Sequence, residues 1–176
     1  MCAQRLALLV LVLGALPTDG ATGNSTQNLS ATISPVGSII APAVATLTSS
    51  VTTFQPFTGS VAVSYRARTT PVGGGSMTLS ISRDFSPSGG PSAAAGTLTY
   101  TCSGATLGTP CTGSQTATTA AQTPVLTLPA SACTGGGGVC SSQDPNSVNL
   151  QFKLTDDPGY ATGTYSATVM FTISAT

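Results

Sequence analysis

The chain has 176 residues, five basic and five acidic side chains, and neither His nor Glu nor Trp. Without His or Glu, a Ser-His-Asp triad, a His-metal centre and a Glu-based acid/base pair are excluded. A balanced charge also lacks the basic footprint that phosphate contacts require, which argues against nucleic acid as a partner.

The first residues read as a removable leader. Arg5 precedes the apolar run Leu6 to Leu16, which falls short of the roughly 20 residues a bilayer-spanning helix needs and suits a signal-peptide core. Residues 1–21 are therefore expected to be a signal peptide and residues 22–176 one β-domain. No other apolar run is long enough for an anchor, so the expected location is secreted, periplasmic or at the cell surface. Five cysteines are present, and Cys2 lies within the leader. The remaining Cys102, Cys111, Cys133 and Cys140 are an even set in an exported chain, which reads as disulfides. Three pairings are possible. The sequential one closes two short loops, each contributing about 2–3 kcal/mol in the chain-entropy picture. Zinc is the rival, but the spacings are wide for a ribbon and no His is available.

Asn24-Ser25-Thr26 and Asn28-Leu29-Ser30 match the N-glycosylation pattern. Leu29, Ala31 and Ile33 alternate and predict a short strand ending at Pro35. Ile39 to Val51 contains Pro42, which predicts an edge strand. Ser60 to Arg68 alternates cleanly, with Val61, Val63, Tyr65 and Ala67 inward and Arg66 and Arg68 outward, two charges that keep a face soluble. Thr69 to Gly75 (TTPVGGG) then reads as a hairpin loop returning through Met77, Leu79 and Ile81. Ser86 to Ala95 is expected to be a long loop without core residues. Leu98, Tyr100 and Cys102 predict a strand, and Gln115 to Leu128 one or two weak ones with Val125, Leu126 and Leu128 buried. A Gly run, 135–138, lies between Cys133 and Cys140.

The last stretch has the strongest pattern. Val148, Leu150, Phe152 and Leu154 alternate with polar residues, as do Tyr165, Ala167, Val169, Phe171 and Ile173, with only Met170 breaking the pattern. Asp156-Asp157-Pro158-Gly159 between them is turn chemistry. Seven or eight short strands, with no helical period after Leu16, predict an all-β, immunoglobulin-like antiparallel β-sandwich.

Few residues could carry chemistry. A Ser–Lys dyad could use only Lys153, which strand parity exposes. Asp156 and Asp157 are adjacent at a strand end, so their side chains diverge. Asp144 and Asn146 are oxygen ligands suited to calcium, but a nine-residue strand of about 30 Å separates them from the Asp pair. No catalytic residue, cofactor or metal is expected.

Gly163-Thr164-Tyr165-Ser166-Ala167 resembles the tyrosine corner of immunoglobulin-like sandwiches, with Ala167 at the position that antibody domains fill with Cys. That resemblance makes the last run strand F and implies a bond from the Tyr165 hydroxyl to backbone just upstream. The ending GTYSATVMFTIS resembles the last strand of bacterial fimbrial and spore-coat-U-like secreted domains, over roughly the final 30 residues. It implies a non-enzymatic structural or adhesive surface protein, a pilus-like subunit joined to itself or other surface proteins by strand addition. The alternative is a lectin-like ligand-binding module, for which Phe54, Phe57, Phe85 and Tyr160 are the available aromatics. An F strand with no G strand after it leaves an edge to be filled. Leu29 to Ile33 is the expected filler, from the same chain or a neighbour.

Overall fold

A computed structural model describes residues 26–49, 53–133, 140 and 145–176. The expected leader (residues 1–21), the Gly run 135–138 and Asp144 lie outside the described residues. The chain divides into a unit of residues 1–32 and a unit of residues 33–176. In the first, residues 26–32 are exposed and form no strand.

Among the described residues the second unit is a β-sandwich of nine strands: β1 (Val36–Ile40), β2 (Phe57–Arg68), β3 (Gly75–Ser86), β4 (Leu98–Ser103), β5 (Thr109–Pro110), β6 (Gln115–Thr116), β7 (Thr123–Leu128), β8 (Asn146–Leu154) and β9 (Ser166–Ala175). One sheet runs β1-β2-β8-β4-β6 and the other β5-β7-β3-β9, every pair antiparallel. The order β1-β2-β8-β4 is that of immunoglobulin strands A-B-E-D, and β3-β9 is that of C-F. The count exceeds the expected seven or eight because β5 and β6 are pairs of residues too short to show a period.

Alternation placed the core correctly. Val61, Val63, Tyr65 and Ala67 of β2, Leu98 and Tyr100 of β4, and Val148, Leu150, Phe152 and Leu154 of β8 are buried. They face Met77, Leu79 and Ile81 of β3 and Val125, Leu126 and Leu128 of β7. Each such aliphatic burial stabilises the fold by about 1.5–3 kcal/mol. The two core tyrosines find partners for their polar tips. Tyr65 donates to the Leu107 carbonyl, and Tyr100 reaches the Pro124 carbonyl at 2.9 Å. Burial pushes both phenols above their ordinary pKa, and the contacts with the Leu107 carbonyl and, for Tyr100, with the Thr123 hydroxyl at 2.8 Å counter it only in part.

Three expectations are corrected. First, β2 and β3 are not a hairpin, because they belong to different sheets. The loop between them crosses the sandwich and is pinned there: Thr69 is buried, its hydroxyl donating to the Pro129 carbonyl and accepting from the Ala132 amide, both at 2.8 Å. Its glycines serve close approach. A side chain on Gly73 would strike the Thr176 carbonyl, and one on Gly74 would lie 2.9 Å from that of Leu128. Second, the loop after β3 does supply core, since Ala93 is 0% exposed in a short 3₁₀ turn, Ala93–Ala95. Third, residues 26–35 form no strand, and Leu29 and Ile33 are 96% and 74% exposed. The edge strand lies just after them, at β1.

Candidate interaction edge

The sandwich has two sides, and the sequence finishes them with different chemistry. On one side, β5 and β6 are two residues long, and β5 ends in Pro110, which has no amide to offer a neighbour. There Cys102 of β4 and Cys111, just after β5, are joined across the two sheets with Cα atoms 5.3 Å apart. The Cys111 amide also donates to the Val125 carbonyl at 2.8 Å. The following residues pass between the sheets: Ala117 is buried and donates to Leu98, and Thr118 accepts from Ile81, each at 2.9 Å. The second disulfide, Cys133–Cys140, is local, so the pairing is the sequential one.

On the other side lie β1 and β9. The edge of β2 is covered by β1 and further along by a bridge between Thr48 and Thr58. For β9, the paired neighbour among the described residues is β3, and none of them pairs with its other edge, where an immunoglobulin G strand would lie. Leu29 to Ile33, the expected filler, form no strand. β9 contains ten residues (SATVMFTISA), none of them charged and none Pro. Its inward row, Ala167, Val169, Phe171 and Ile173, packs on the core but is only half-buried, and its outward row is exposed. The equivalent row of β8 is fully buried. β1 packs alongside β9, and at Gly37 it leaves a notch for Ile173: a Cβ there would lie 2.9 Å from Ile173 Cγ2.

The start of β9 is braced. The Tyr165 hydroxyl donates to the Ala161 carbonyl at 2.6 Å, while its ring lies against Gly163 and so close over Gly90 that no side chain fits there. The Ala161 amide in turn donates to the Gly89 carbonyl at 2.8 Å. The loop carrying Gly89 and Gly90 is held by Asp84, which accepts from Ser92 Oγ at 2.6 Å and from the amides of Ala93 and Phe85 at 2.7 and 2.8 Å. Burial raises the Asp84 pKa, but these donors outweigh it and hold the carboxyl below its ordinary value. Neither the Asp84 cradle nor the Ala93 plug was foreseen. The one signal was a Ser before three alanines, the pattern of a short helical turn.

The other singled-out residues do not converge. Arg66 and Arg68 are half-buried rather than on an open face, and Arg68 Nε and Nη2 hold the Ser34 carbonyl at 3.0 and 2.6 Å. Asn146 is buried and accepts from Thr106 at 3.0 Å, a structural contact. Lys153 is exposed. Among the described residues no three His, Cys, Asp or Glu side chains gather as metal ligands. Phe57 and Phe85 pack against the core, which leaves Phe54 as an exposed ring. No family model, curated protein or solved structure matches the chain.

Proposed function

We propose that this is a non-enzymatic, secreted or cell-surface structural or adhesive protein, a pilus-like subunit that works by accepting an added strand at β9. The observation that carries this reading is the edge itself: ten uncharged residues whose inward apolar row is half-covered. Proteins normally blunt such an edge with charge, Pro, a bulge or a covering element; here the ladder to β3 shifts register only toward the start of β9, between Ile81 and Ser86. An added strand would supply backbone partners along β9 and cover the inward row with alternate side chains. The two disulfides fit an oxidising compartment outside the cytoplasm. Among the described residues no helix is long and apolar enough to cross a membrane.

The natural donor is the segment around Leu29, Ala31 and Ile33 of a neighbouring copy, exposed and not in a strand in this chain. A synthetic peptide of residues 26–34, titrated into the chain lacking residues 22–34, tests this. Binding that shifts the NMR signals of β9, and is lost when Leu29 and Ile33 of the peptide become Asp, is expected. Absence of binding, or shifts confined to other strands, would overturn the reading.

A further inference from the structure

The β9 edge carries a pattern that strand addition by a foreign segment does not need. Read from Met170 outward, its residues match in pairs: Phe171 with Val169, Thr172 with Thr168, Ile173 with Ala167, Ser174 with Ser166. Every polar position mirrors an identical residue, and every apolar position mirrors another apolar one. An antiparallel strand pair with a two-fold axis through Met170 brings just these partners opposite one another. We infer that β9 pairs with β9 of a second copy, joining two four-stranded sheets into one of eight strands. The inference rests on the reading of β9 as the working edge, and it names the edge's occupant when no donor strand is present.

Side-chain size and charge agree with the pairing. On the inward face, Phe171 meets Val169 and Ile173 meets Ala167, so each large residue faces a smaller one. The smallest, Ala167, comes opposite Ile173, where β1 already crowds the edge at Gly37. On the outward face, Thr meets Thr and Ser meets Ser, pairings that stabilise antiparallel strands. Met170, 45% exposed, lies against its own copy on the axis. No charge occurs in β9 to repel the approach. The nearest on its sheet is Arg83, level with Thr168. Strand spacings place the two copies of Arg83 about 20 Å apart in such a dimer, well beyond the ~8 Å screening length at physiological salt. An edge pairing alone buries less than the roughly 1,600 Å² typical of stable complexes. The dimer is therefore reversible, and it keeps the edge covered until a donor displaces the second copy.

Sedimentation of the disulfide-bonded protein over a wide range of concentration tests this. The wild type is expected to shift from monomer to dimer. Met170→Lys puts two like charges on the axis and should weaken association at least about tenfold. Met170→Glu should do the same, and mixing the two variants should restore a 1:1 heterodimer, which a mere folding defect could not produce. A wild type that stays monomeric at every concentration overturns the inference, as does a dimer indifferent to Met170→Lys. The chain lacking residues 22–34 should still dimerise. If that deletion abolishes association and Met170→Lys does not, the donor segment occupies the edge; the self-pairing then fails while the proposed function stands.

Discussion

Where β4, β5, β6 and β7 meet, the sandwich is closed by Pro110, two-residue strands and a disulfide between the sheets. Where β1 and β9 meet, a ten-residue strand is left with half-buried apolar side chains. Both sides border the same core, yet one is stitched covalently and the other is held by packing and a few hydrogen bonds. The difference shows where this chain protects itself from other strands and where it does not. Nor is the open side poorly built, because the Tyr165 corner and the Asp84 cradle fix the start of β9. Under the function proposed above, an uncharged edge braced at its start, and without a second paired strand among the described residues, would be a prepared surface rather than a frayed one.

The comparison breaks most readily at the closed side. Replacing Cys102 and Cys111 by Ala should cost about 2.5 kcal/mol, the loop-closure value for so short a ring. A fall in the urea midpoint under oxidising conditions reads it. An unchanged midpoint would mean that Pro110 and the short strands close that side unaided. On the open side, Tyr165→Phe keeps the ring over Gly90 but removes the bond to Ala161. A loss of about 0.5–1.5 kcal/mol is expected. An unaltered urea midpoint would show that the ring alone braces β9. Met170→Lys should have the smallest effect on folding, within about 0.5 kcal/mol for an outward position, although it is the variant expected to weaken dimers. A large loss of stability there would mean that the outward row of β9 is covered in the monomer.

How much of this was legible depended on whether a feature leaves a period in the sequence. β2 and β8 did, because each has one face in the core, and Val61, Val63 and Tyr65 or Val148, Leu150 and Phe152 mark it. Alternation does not say which sheet a strand joins. So Gly73 and Gly74 read as a hairpin turn when they clear space for the carbonyls of Thr176 and Leu128. Leu29, Ala31 and Ile33 alternate as well as a real strand does, but pairing needs a partner that local pattern cannot supply. Ala93 is one small residue in a loop, and a single buried alanine carries no periodic signal. The Tyr165 corner was legible because it is a local motif, its bond spanning four residues. The half-burial of Ala167, Val169, Phe171 and Ile173 was not, since the same alternation marks a covered strand and an open one.

Amide hydrogen exchange along Ser166–Ala175, followed by NMR on the Met170→Lys chain, tests the central claim most directly. In an edge strand, alternate amides bond to β3 and the intervening ones face away from it. Slow exchange at every second residue of β9, with fast exchange at those between, is the result expected of an open edge. Uniform protection from Ser166 to Ala175, equal to that of β8, would show the edge already covered and would contradict the account.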